Sequence, residues 1–129
     1  MARVRILSVG QCGMDHGQIG RALGRPLDAE VIAADTHEDA RRKLAAGAFD
    51  LVLVNRVGDL DGAPGLDLIR DLKADPATAG VPAMLVSNYP DAQAEAVSAG
   101  AVAGFGKSDL GTARALDQVR ATLRPSIDC

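Results

Sequence analysis

The sequence predicts an α/β fold of (βα)5 form, a doubly wound, parallel five-stranded sheet with helices on both faces. Three observations carry this. Five short apolar runs recur along the chain, each followed by a segment of helical character. Two of them, residues 51–54 (LVLV) and 83–86 (AMLV), are apolar at every position, which suits central strands of a parallel sheet covered on both sides. The length, 129 residues, is that of one domain with one core, so residues 1–129 are read as a single unit.

The elements follow in order. The first strand is residues 4–9 (VRILSV) and the second 30–34 (EVIAA). Thr36 is then an N-cap for a helix over 37–46, with Gly47 as its stop. After the strand at 51–54, Pro64 suits the first turn of a helix over 65–74, with Leu66, Ile69 and Leu72 as its apolar stripe. The fourth strand leads to a helix from about residue 91 to residue 99, stopped by Gly100. The fifth strand, 101–105, leads to a helix over 109–123 that places Leu116, Val119 and Leu123 on one face and ends before Pro125.

Composition narrows the function. Charged residues make up 24% and hydrophobic ones 47%, and no apolar run reaches the roughly eighteen residues a spanning helix needs, so no membrane contact is expected. The start is too short and polar for a secretory signal, which points to the cytoplasm. Cys12 and Cys129 form neither a disulfide framework nor a zinc pattern. A net charge of −3 argues against direct nucleic-acid binding. Phe49, Tyr89 and Phe105 are the only aromatics, beside 23 Ala and 14 Gly, so the core is aliphatic and stacking platforms for bases are excluded.

In a sheet of this kind ligands bind at the carboxyl ends of the strands. There, FDLVLVN at residues 49–55, GLDLIRDLKADPATAGVPAMLVS at 65–87 and SAGAVAGFGKS at 98–108 stand in order and at matching separations. In these motifs the chain resembles, over nearly its whole length, the receiver domain of two-component response regulators. The resemblance implies a flavodoxin-like three-layer sandwich and a place in phosphorelay signal transduction. It matches Asn55 to the phosphoacceptor, Ser87 to the hydroxyl that bonds a phosphoryl oxygen, Lys107 to the ammonium that pairs with the acyl phosphate, and Gly10 and Gln11 to the acidic pair.

Phosphoryl transfer of this type needs a carboxylate nucleophile and carboxylates that hold a divalent cation. An amide at position 55 is a poor nucleophile, and Gly10 and Gln11 offer no charge, so no metal site and weak magnesium affinity are expected. Lys107 is followed by Ser108 rather than proline, so no cis peptide is expected there. Gly104 stands at the aromatic switch position, Phe105 faces the other side of its strand, and the 56–64 loop is longer than the family's, with Asp59 at its usual proline.

Several readings stay open. Asn55 is a phospho-dead replacement whose amide bonds Lys107, or a participant in other chemistry. Lys107 is a stranded residue or an anion ligand. The glycine-rich stretch of residues 10–20 (GQCGMDHGQIG) is expected to be a loop that opens a helix, a candidate phosphate cradle with Gly13, Asp15, His16 and Gly17 as ligand residues. Asp35 would then hold a ribose, although the glycines do not follow GxGxxG. Asp15 and His16 loosely resemble the Asp-x-His-x-x-Gly loop of cobalamin-binding domains, with the intervening residue absent. The default for His16 and His37 is a capping or solvent-exposed histidine. Cys12 is a buried small hydrophobe or a reactive thiol.

The expectation is a stand-alone pseudo-receiver, without enzyme activity and without a cofactor, that acts as a phosphorylation-independent protein-interaction module. Its partner would be a signalling kinase, a regulator or an output protein, with homodimerisation left open. The alternative is a small-ligand domain that binds an anion or nucleotide through the glycine-rich stretch and Lys107.

Overall fold

In a computed structural model, residues 4–58, 60 and 62–123 are described. Pro125, Cys129, Asp59 and Asp61 lie outside them. The elements are β1 (Val4–Val9), α1, β2 (Ala29–Ala34), α2 (His37–Ala46), β3 (Leu51–Asn55), α3 (Gly65–Ala74), β4 (Ala83–Val86), α4 (Pro90–Ser98), β5 (Val102–Phe105) and α5 (Ala113–Thr122). Helix α1 runs from Gly13–Ile19 through a π-helical turn, Gly20–Gly24, to Arg25–Leu27. A 3-10 turn, Lys107–Asp109, follows β5.

All strands are parallel, in the order β2-β1-β3-β4-β5. Because the winding reverses between β1 and β3, a crevice opens at their carboxyl ends. The residues alternate along the central strands, one set facing each helical layer. On one side Leu7, Val9, Val52, Val54 and Leu85 pack with Ala40 of α2, Leu68, Ile69 and Leu72 of α3, and Ala96 of α4. On the other, Ile6, Leu51, Leu53, Met84, Val86 and Phe105 pack with Ile19 and Leu23 of α1 and Ala115 and Val119 of α5. Strand β4 is buried at every position and β3 at all but Asn55, as their continuous apolar character requires.

Most helix punctuation acts as the sequence indicates. Thr36 Oγ1 accepts from Asp39 N at 3.0 Å, capping α2. Helix α3 has its expected bounds, but Leu68, not Leu66, joins Ile69 and Leu72 as fully buried, while Leu66 packs at the margin. Lys73 of α3 turns its ammonium to Ala79 O (3.1 Å) and Val81 O (2.8 Å), and burial lowers its pKa.

Two expectations need correction. The last helix begins at Ala113, not at 109: Lys107–Asp109 forms a separate turn, and the Thr112 hydroxyl accepts from Ala115 N to start α5. The 10–20 stretch is not a glycine loop before a helix, because α1 already begins at Gly13. Only Gly10 in that stretch has a positive φ (76°). The helix ends at Asp28 in the left-handed conformation, with φ of 50°.

Candidate functional site

Asn55 is the last residue of β3, at the mouth of the crevice. Its amide nitrogen donates to Gly10 O (3.0 Å) and to Val57 O (2.7 Å). The expected bond between Asn55 and Lys107 is therefore replaced by two bonds to main-chain carbonyls. These hold β1 and the start of the β3–α3 loop together. The loop then folds back through a Val57–Pro64 bridge, with Gly58 N donating to Ala63 O. Gly65 brings α3 directly against β3, and a Cβ there would overlap Asn55 O.

Ser87 follows β4, is buried, and accepts from Tyr89 N at 3.1 Å. Lys107 opens the 3-10 turn after β5. Its ammonium is not stranded: it pairs with Asp15 Oδ2 at 2.6 Å across the crevice. The hydrogen bond from Lys107 holds the Asp15 carboxyl below its ordinary pKa of 3.8, against an opposing effect of burial. Asp15 can reach because residue 15 lies in the first turn of α1, where Cys12 is the N-cap and its Sγ accepts from Asp15 N at 3.4 Å. Cys12 is thus a cap, half-buried, rather than a core hydrophobe.

The remaining candidates separate from this group. Gly13, His16 and Gly17 are helical, so the stretch lacks the glycine-loop form expected of a phosphate cradle. The pairing of Lys107 with Asp15 likewise removes the uncompensated ammonium that the anion reading assumed. His16 is neither a cap nor fully exposed: it is half-buried, and its Nδ1 is buried without a hydrogen-bond partner. Gln11 is only 8% exposed, and neither its amide nitrogen nor its oxygen has a partner. Asp35 is exposed at the end of β2.

A pocket of about 220 Å³ does open at the strand ends, and three residues the sequence reading did not single out help to line it: Arg56, Asn88 and Tyr89. Asn55, Ser87 and Lys107 complete its polar wall. The Arg56 guanidinium lies over the Tyr89 ring, 4.8 Å from its centre, and spans the two loops. Asn88 Oδ1 accepts from the Ser108 amide (3.2 Å) and hydroxyl (3.0 Å), tying the β4–α4 loop to the turn that carries Lys107. Arg56 and Tyr89 stand far apart along the chain with no local motif linking them, so only the fold reveals this arrangement.

The described residues do not fit a divalent cation. Gly10 has φ of 76°, and a Cβ there would lie 3.1 Å from Gly58 Cα, so a side chain at this position is strained. The Asn55 NH2 group occupies the point on which Gly10 O and Val57 O converge, and Asp15 is engaged by Lys107. Among the described residues no cluster of three His, Cys, Asp or Glu has metal-binding geometry.

Comparison with known proteins bears on the fold. No family model matches the chain. A gliding motility regulatory protein of Myxococcus xanthus is 32% identical over 123 residues, 91% of this chain, and the chain spans 15% of that protein's length. A response regulator from Thermotoga maritima superposes with a TM-score of 0.78 at 22% identity, covering 95% of this chain and 98% of that one. The signal receiver domain of a DNA-binding response regulator from Colwellia psychrerythraea gives 0.79 at 22%, covering 94% and 98%. NtrX from Brucella abortus gives 0.83 at 18%, covering 98% of this chain and 28% of that one. In strand order, layer arrangement and superposition, the chain has the receiver fold of response regulators.

Proposed function

We propose that this domain is a receiver-like signalling module that engages a protein partner without being phosphorylated at position 55. The observation that carries the reading is the Asn55 amide, which sits where a carboxylate nucleophile would stand and donates to Gly10 O and Val57 O. A group used twice as a donor, with no carboxylate at positions 10 and 11, lacks both the nucleophile and the cation ligands of phosphoryl transfer. The domain therefore acts by binding rather than as an enzyme, in the cytoplasm, with a kinase, another regulator or an output protein as partner. No helix among the described residues is long and apolar enough to cross a membrane. Its acidic balance disfavours direct nucleic-acid contact.

Incubation with acetyl phosphate and magnesium, followed by intact mass measurement, tests this. The expected result is no gain of a phosphoryl group, and a stable gain mapped to the strand-end pocket overturns the proposal. One observation favours a second reading, a small-anion site: Arg56 has no ion pair with a described residue and lines the pocket with Ser87 and Lys107. Phosphate titration followed by amide NMR at Arg56, Ser87 and Lys107 separates the two, since only an anion site shifts these signals in millimolar phosphate.

A further inference from the structure

The ladder between β4 and β5 is irregular. Met84 pairs with Val102 and Val86 with Phe105, so β5 carries one extra residue opposite Leu85. That bulge brings Gly104 so close to β4 that a Cβ would overlap Leu85 O. The side chain of Gln93, on α4, inserts here. Its Oε1 accepts from Gly104 N at 3.0 Å. Its Nε2 donates to Leu85 O (2.8 Å) and Ser87 O (3.1 Å), with Phe105 O at 3.4 Å. The carboxamide thus supplies the donor and acceptor of one peptide group, in a place where the two strands cannot satisfy each other. From the opposite layer, Gln118 of α5 donates to Gly104 O at 2.8 Å and to Ala103 O.

We propose that Gln93 is a latch that holds the pocket loop at Ser87, the edge strand β5 and the face formed by α4, β5 and α5 in one arrangement. The argument is geometric. A single carboxamide bonds the residue that lines the pocket, both sides of the bulge and the end of β5, so none of them shifts without breaking the same set of bonds. Glycine at 104 leaves no side chain that could enter this space and favour a second arrangement. The face is preset, and an event in the pocket does not remodel it. The latch does not rest on the proposed function.

Hydrogen exchange by NMR on the whole chain tests the latch with neither partner nor phosphoryl donor, so its failure is distinct from a failure of the acetyl phosphate experiment. In the unmodified protein the Gln93 side-chain protons exchange at least tenfold more slowly than those of exposed Gln18. In Gln93→Ala and Gln93→Met, the Gly104 amide loses at least tenfold protection and the Val97 and Val102 signals broaden or double, while the β1–β2 amides keep theirs. The proposal is overturned if the Gln93 protons exchange like those of Gln18. Unchanged Gly104 protection in both variants, or equal loss of protection in every strand, overturns it too.

Discussion

Two glutamines stand near strand ends in this domain and are treated in opposite ways. Gln93 satisfies its carboxamide at both ends, against Gly104, Leu85 and Ser87. Gln11, after β1, is more deeply buried and has neither end satisfied. The contrast extends to the regions around them. Asn88, Gln93 and Gln118 stitch β4, β5 and the Lys107 turn together. The buried unpaired side-chain atoms among the described residues, on Ser8, Gln11 and His16, all fall between β1 and the first turns of α1. A buried polar group without a partner costs about 1–3 kcal/mol, so the β1–α1 corner carries a cost that the tied side does not.

The most severe way to break the tied side is to put a side chain at position 104. Gly104→Ala forces a Cβ onto Leu85 O and is expected to cost about 3 kcal/mol in urea unfolding; a cost below about 1 kcal/mol means β5 is freer than its bonds indicate. The same chemical change made at the two glutamines sharpens the contrast. Gln93→Met should destabilise by about 2 kcal/mol, because Gly104 N–H and Leu85 C=O lose their partner. Gln11→Met should stabilise by about 1 kcal/mol, because an apolar chain of similar length replaces an amide that bonds nothing. Shifts of equal sign in the two variants refute the comparison.

Asn55→Asp tests the boundary between the two sides. It replaces two N–H donors by a carboxylate against Gly10 O and Val57 O, with an expected cost of about 2 kcal/mol near neutral pH. The variant should still gain no phosphoryl group from acetyl phosphate, because positions 10 and 11 hold no carboxylate; efficient phosphorylation refutes the account of the site.

The smallest effect concerns the Asp15–Lys107 pair. The folded-state pKa of Asp15 is lowered, so its contribution is present above the ordinary carboxylate value of 3.8 and is lost as pH falls through the depressed one. Both side chains keep some solvent contact, 20% and 35%, which limits the effect to about 1 kcal/mol. Asp15→Asn should therefore be less stable than the parent at pH 6 and equal to it in strong acid. A gap that persists in strong acid indicates a cause other than this carboxylate.

The sequence by itself determined the class of fold, because continuous apolar runs and helix caps are local signals: Thr36 caps α2, Gly47 follows it, and the runs at 51–54 and 83–86 are the central strands. It also determined that position 55 bears an amide and that Ser87 and Lys107 stand at strand ends. It misplaced the start of α1, since glycines at 13, 17 and 20 look like a loop when the packing of Ile19 and Leu23 against the sheet is unseen. Only the tertiary structure decided what each polar group bonds. The partners are remote in sequence: Asn55 with Gly10, Lys107 with Asp15, Arg56 with Tyr89, Gln93 with Gly104. A hydrogen bond or ion pair is set by distances of about 3 Å, and those distances arise only when parallel strands bring their carboxyl ends to one edge of the sheet.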